Sequence, residues 1–294
     1  MTTPEFTPVS LDRQAEYLER FAQCPQKASD YSFVNIWGWA EEYGLEWFFG
    51  ESHVWLRQTR PDIVYWAPVG PWTDTDWTKC PVLNAPGGRY IRVPEVLADI
   101  WGATFGDAIS INEARDHWDY IYDVAELSQL KGNRFHKKKN LLNQFKKKYD
   151  YVYHSMTPDC VEAALDMQHE WFSWRDEESQ QTLAAENRAI ARVLTSWDAL
   201  CGVFGGVIEV DGAQAAYTVA ERLTNDTLVI HFEKGHTPYK GVYQAINQMF
   251  LSGDATDYVS VNREQDLGDP GLRKAKESYN PIGYLKKFDI SLNP

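Results

Sequence analysis

Long apolar runs are missing from this chain. No stretch approaches the roughly 18 to 20 apolar residues that cross a bilayer. The opening segment has no basic start followed by an apolar stretch, which argues against a secretory signal. The expectation is a soluble, cytoplasmic protein. Cysteine is scarce, at 4 in 294 residues. Cys24, Cys80, Cys160 and Cys201 share no ligand spacing, so they read as free, mostly buried thiols rather than a disulfide framework or a metal site. The 7 histidines do not cluster. His231 and His236 are the nearest pair, and their separation across a strand end is not a metal-ligand spacing. No metal is expected. Spacing also reveals no Ser-His-Asp or Cys-His set, so a covalent acyl-enzyme is not expected. Positive charge is in deficit, with 29 Lys+Arg against 42 Asp+Glu and a net charge of −13. That balance excludes a general polyanion binder.

The deficit is uneven. Residues 1–130 carry 9 basic and 20 acidic side chains, and residues 149–294 carry 12 and 22. Between them lie Lys131, Arg134, Lys137, Lys138, Lys139, Lys146, Lys147 and Lys148, with no acid at all. Phe135, Leu142, Phe145 and Tyr149 recur at helical spacing within that segment, so it reads as a helix with one apolar stripe and lysines around it. No Glu or Asp is interleaved to neutralise the lysines. The segment is therefore a candidate for binding phosphate or an RNA backbone, with Lys131, Arg134, Lys137, Lys138 and Lys139 as the contacts. A plain solvated helix face is the competing reading.

Hydrophobic residues make up 44% and charged residues 24%, which is globular, and the length suits one large or two ordinary domains. The 12 Trp supply large rigid side chains, mostly for the core. A helix is expected over Leu11–Phe21, strands over residues 46–58 and 62–70, a helix over Pro94–Trp101, and a hairpin over residues 108–123. Beyond residue 150 the order is strand, two helices, two hairpinned strands turning at Val210–Ala213, strand, helix, strand, helix, strand. That is an α+β order with a mixed sheet, and the first half follows the same rhythm loosely. A boundary near Asp150 fits rhythm and charge, giving domains 1–150 and 151–294.

Three stretches carry a narrower likeness: WDYIYDVAELSQLKGNRFHKKKNLLNQF (118–145), HFEKGHTPYKGVYQAINQMF (231–250) and NREQDLGDPGLRKAKESYNPIGYLKKF (262–288). Together with SFVNIWGWAEEYGLEW (32–47) they resemble the soluble C-terminal domain of lysylphosphatidylglycerol synthases and its stand-alone relatives. The resemblance implies two tandem GNAT-like (acyl-CoA N-acyltransferase) domains, each a mixed sheet flanked by helices, as in the Fem-type aminoacyltransferases. It implies transfer of an aminoacyl group from charged tRNA, as co-substrate, to an amine or hydroxyl on a lipid headgroup, a peptide or a small molecule. The lipid-modifying members carry membrane helices before this domain; this chain shows none.

By the same likeness, Lys240 and Gly241 lie where a GNAT chain turns around the pyrophosphate of CoA, with free N–H groups at a helix start. Tyr243 stands where a CoA-binding pattern has its second glycine, which counts against acetyl-CoA, the alternative co-substrate. Glu233 is placed as general base, or else as a surface carboxylate paired with Lys234 or Lys240. Arg263, Arg273 and Lys274 are placed to hold phosphate or carboxylate. Tyr279 is placed as the acid that protonates the leaving group, or else as a core tyrosine. A CoA-dependent N-acetyltransferase and a non-catalytic RNA- or nucleotide-binding module stay open beside the aminoacyltransferase reading.

Overall fold

The computed structural model describes residues 4–80, 82–83, 88–173 and 177–293, with only the backbone of 171–173 and 177–182. In chain order the elements begin with β1 (Thr7–Pro8), α1 (Gln14–Ala22), α2 (Phe33–Tyr43), β2 (Leu45–Phe49), β3 (Val54–Gln58), β4 (Val64–Trp66) and β5 (Arg89–Pro94). Next come α3 (Glu95–Phe105), β6 (Ile109–Glu113), β7 (Asp119–Asp123), α4 (Val124–Gln129), α5 (His136–Lys148), β8 (Tyr151–Ser155), α6 (Val161–Ser173) and α7 (Glu177–Thr195). The chain continues through β9 (Val203–Val210), β10 (Ala213–Arg222), β11 (Thr227–Gly235), α8 (Val242–Gly253), β12 (Ser260–Asn262), α9 (Pro270–Glu277), β13 (Gly283–Leu285) and β14 (Lys287–Leu292).

The strands make two seven-stranded sheets, ordered β1-β2-β3-β4-β5-β14-β6 and β13-β7-β12-β11-β10-β9-β8. Each contains a parallel pair among antiparallel ones: β4 with β5, and β11 with β12. The expected tight turn joins β9 to β10, with Asp211 at φ 54° and Gly212 at φ 80°. Two successive positive φ values give a turn whose twist matches the strands it links.

Two expectations are corrected. The compact units do not part at residue 150. One is Met1–Asp119 with Gln265–Asp269 and Tyr284–Pro294, and the other is Tyr120–Glu264 with Pro270–Gly283. The basic helix thus belongs to the second unit, and the closing strand β14 returns to the first. Residues 108–123 also do not form a hairpin, since β6 pairs β14 while β7 pairs β12. Burial decides this: β6 is exposed beyond Ile109, whereas Tyr120 and Tyr122 of β7 are wholly buried. Alternation identified both strands correctly but carries no information on their partners.

The first unit holds a charge network at its centre. Lys287 of β14 bonds Asp30 and, at 2.6 Å, Asp119, all three with fully buried side chains. Arg92 Nη1 reaches Asp30 at 3.0 Å, and Asp119 also accepts the Ser29 N–H at 2.9 Å and its hydroxyl at 2.8 Å. Two cations thus face two anions away from water.

In the second unit α8 lies on one face of the sheet. Val242, Ala245, Ile246, Met249 and Phe250 form its apolar stripe against Ile208, Ala216, Ala220, Leu228 and Ile230. Phe135, Leu142 and Phe145 around α5 join the same core. This is the stripe expected from their spacing, and it fixes α5 beside α8. No helix among the described residues is long and apolar enough to cross a membrane.

Candidate active site

The parallel pairing of β11 and β12 ends at Val229 opposite Asn262, and β11 then runs on to Gly235 paired with β10 on its other side. The carboxyl ends of parting parallel strands are where open sheets collect ligands. Side chains from β11, α8, α5 and the segments that follow β12 and α9 meet here. Glu233 on β11 accepts from Arg263 Nη2 at 3.0 Å and from Asn247 Nδ2 of α8 at 2.9 Å. Its side chain is only 9% exposed. Burial works against the Arg263 charge, but Glu233 together with Tyr279 and Tyr122 outweighs it, and the guanidinium is held charged above its ordinary range.

The Arg263 guanidinium lies 4.9 Å from the centre of the Tyr279 ring. Gln244 Nε2 of α8 donates to the Tyr279 hydroxyl at 3.4 Å. Burial pushes the phenol pKa up, against the pull of Arg263, so the hydroxyl keeps its proton. Lys138 of α5 places its Nζ 3.9 Å above the same ring. Burial first, and then Arg263, push the Lys138 ammonium pKa down.

Behind this group lies a second set that sequence spacing did not reveal. Phe232 pairs with Val219 and Ile230 with Ala220, so His231 is the extra residue of a β-bulge. Such a bulge re-aims side chains. His231 sits between Glu264 Oε1 at 2.8 Å from Nδ1 and Glu221 Oε2 at 3.2 Å from Nε2. Burial lowers the imidazole pKa, but the two carboxylates overcome it and raise it to about 9. Glu264 itself stands at φ 56°. Its N–H bonds Asn262 Oδ1 at 2.8 Å, and Lys276 of α9 bonds the carbonyls of both Arg263 and Glu264. The backbone that presents Arg263 is therefore clamped from three sides. The usable signal was a histidine inside the apolar run TLVIHFEKG with glutamate at the end of the neighbouring strand.

Of the residues expected from sequence, Glu233, Arg263, Tyr279 and Lys138 meet in one place. Glu233 pairs with neither Lys234, which bonds Glu186 at 2.8 Å, nor exposed Lys240. Lys274 is exposed and Arg273 half-buried on α9, whose Lys276 reaches the cluster. Lys131, Arg134, Lys137 and Lys139 are exposed on and before α5, with Arg134 paired to Glu126 of α4.

Gly241 has a different explanation from a phosphate cradle. It stands at φ 89°, and a Cβ there would lie 2.3 Å from the Leu141 carbonyl oxygen and 3.2 Å from Phe145 Cβ. The space over it is filled by α5. The neighbouring N–H groups are also engaged: that of Lys240 by the Tyr149 hydroxyl at 3.2 Å, and that of Val242 by the Tyr239 carbonyl at 3.0 Å. Gly241→Ala is expected to cost about 1–3 kcal/mol through both the positive φ and the clash. Urea denaturation checks this; an unchanged midpoint would mean that α5 does not rest on this glycine. Among the described residues no group of three or more His, Cys, Asp and Glu is placed to hold a metal ion.

A family model described as phosphatidylglycerol lysyltransferase, C-terminal, matches residues 21–290. The crystal structure of a conserved protein of unknown function from Bacteroides thetaiotaomicron is 28% identical, with a TM-score of 0.87, and covers 99% of this chain and 100% of that one. The structure of L-PGS from Bacillus licheniformis has a TM-score of 0.67 at 11% identity, covering 99% of this chain and 94% of that one. A tandem GNAT protein from the clavulanic acid biosynthesis pathway has a TM-score of 0.50 at 11% identity, covering 99% of both chains. The last two likenesses concern fold, and the expected fold holds: two mixed sheets flanked by helices, as in tandem GNAT-like acyltransferases. No curated protein matches the chain.

Proposed function

Because the chain belongs to the phosphatidylglycerol lysyltransferase C-terminal family, we propose that it transfers an aminoacyl group from charged tRNA to an amine or hydroxyl acceptor. The observation that carries this reading is Lys138. It lies on the acid-free basic helix and reaches over Tyr279, so the lysine-rich surface and the polar cluster adjoin. A bound tRNA backbone along Lys137 and Lys139 would thus deliver its aminoacyl end to Glu233, Arg263 and Tyr279.

In the transfer, the acceptor nitrogen or oxygen attacks the ester carbonyl. Its bond to that carbon forms, and the bond from the carbon to the ribose oxygen breaks. The acceptor's proton passes to Glu233, whose oxygens each keep a lone pair beside their present hydrogen bonds. The Arg263 guanidinium faces the charge developing on the carbonyl oxygen. Tyr279, kept protonated by burial, supplies a proton to the departing ribose oxygen. The ester is already activated, so positioning provides most of the remaining rate. The filled space over Gly241 counts against the acetyl-CoA reading.

The test is binding of aminoacylated tRNA across a salt series. Affinity is expected to fall steeply with salt, and the Lys137→Ala/Lys138→Ala/Lys139→Ala chain to show a shallower slope, by roughly 0.7–0.9 for each phosphate no longer neutralised. A slope indifferent to the three lysines would remove the basic helix from the argument and with it this reading.

A further inference from the structure

Three strand positions from β11, at the opposite edge of the second sheet, lies a cluster that the acyl-transfer reading does not use. Cys160 closes the turn Pro158–Cys160 and immediately precedes α6. Its Sγ is 4.0 Å from His154 Nδ1 and 3.3 Å from the Thr157 hydroxyl. His154 Nε2 is in turn 3.1 Å from Glu209 Oε1. The register explains this proximity. Val152 pairs with Glu209 and His154 with Val207, so His154 and Glu209 are diagonal neighbours on one face of the β8–β9 pair. A thiol, an imidazole and a carboxylate are thus in line, at the partly exposed start of a 13-residue helix.

We propose that Cys160, His154 and Glu209 form a thiol-exchange site that takes small-molecule disulfides and is reversibly S-thiolated by them. The Cys160 proton passes to His154 Nδ1, which then has the Ser155 carbonyl at 3.1 Å to donate to, while Glu209 holds the other side of the imidazolium. The sulfur left behind lies at the start of α6. That sulfur attacks one sulfur of the disulfide. A new S–S bond forms at Cys160, the reagent's own S–S bond breaks, and its second sulfur leaves as a thiolate. No further oxidant is needed. The other thiols differ in kind. Cys24 is buried, with burial pushing its pKa up to about 12, and burial also raises Cys80. Cys201 is exposed and gives an internal reference.

The experiment is timed labelling of the native full chain at pH 7 with the aromatic disulfide dithiobis-nitrobenzoate, with mass spectrometry of the peptides to locate the label. Cys160 is expected to react about tenfold or more faster than Cys201, and His154→Gln to slow Cys160 about tenfold without slowing Cys201. Glu209→Gln should give a smaller loss in the same direction. Mild reductant should restore the unlabelled chain. Labelling of Cys160 no faster than Cys201, or undiminished in the His154→Gln chain, overturns the proposal. The outcome is independent of tRNA binding.

Discussion

A Lys287→Met chain is expected to lose about 3–5 kcal/mol of stability in its first unit, because the substitution leaves two buried carboxylates short of their shared cation. Methionine keeps nearly the length and volume of the lysine stem, so the loss is one of charge rather than of packing. Asp30 would retain Arg92 at 3.0 Å, and Asp119 would keep the N–H and hydroxyl of Ser29. The sign with pH follows from the partners. Burial opposes the Asp30 charge, but Lys287 and Arg92 prevail and hold its pKa below the ordinary 3.8. Its contribution is therefore present above that value and lost as acid takes the pH through the lower folded one. Lys287 is held above its ordinary 10.5, so its contribution is full below that and is lost in strong alkali. The wild-type advantage should be flat from about pH 4 to pH 10, and should narrow in acid as Asp30 takes up a proton. Urea denaturation followed by tryptophan fluorescence reads the first unit, where Trp66 lies 4.4 Å from Arg92. Adding Asp119→Asn should recover part of the loss. A deficit under about 1 kcal/mol would mean that the network does not depend on its lysine charge.

That network shows where sequence reading stops. The pair of lysines in YLKKF opens the expected closing strand, and nothing local distinguishes buried Lys287 from Lys286, which pairs with Glu95 at the surface at 3.2 Å. The distinction depends on Asp30 and Asp119, which only the folded sheet brings near. Periodicity served well wherever the signal is local. It placed α5, its buried Phe135, Leu142 and Phe145, and the β9–β10 turn. It failed where a partner had to be chosen, as with β6 and β7. The candidate site divides along the same line. Glu233, Arg263 and Tyr279 lie in stretches that resemble a known family, and they converge. His231 depends on a bulge and on Glu264 from another strand, and no spacing along the chain encodes either. Gly241 was read as part of a phosphate-binding turn, but its reason is the close approach of α5, a packing fact that sequence does not hold.

Raising the pH from 6.5 to 9 is expected to weaken the second unit by about 3 kcal/mol, through His231 alone. Its pKa stands at about 9 in the fold against an ordinary 6.5. The folded state therefore binds a proton that the unfolded chain releases, so the contribution is complete below 6.5 and fades as the pH rises through 9. Burial by itself would give the opposite sign; the contacts with Glu221 and Glu264 reverse it. His53 and His117 cannot produce the same trend. Burial lowers their pKa, so what they contribute falls away in acid, below 6.5, and both lie in the first unit. Urea denaturation followed by circular dichroism should thus show a slope with pH that His231→Gln abolishes. A wild-type chain equally stable at both ends of this window would refute it, as would the same slope in the variant. The deprotonated imidazole can donate to only one carboxylate at a time. Glu221 or Glu264 then loses its bond to the imidazole. Glu264 is the one whose backbone carries Arg263, so the loss of stability and a loosening of the Glu233–Arg263–Tyr279 cluster should appear over the same pH interval.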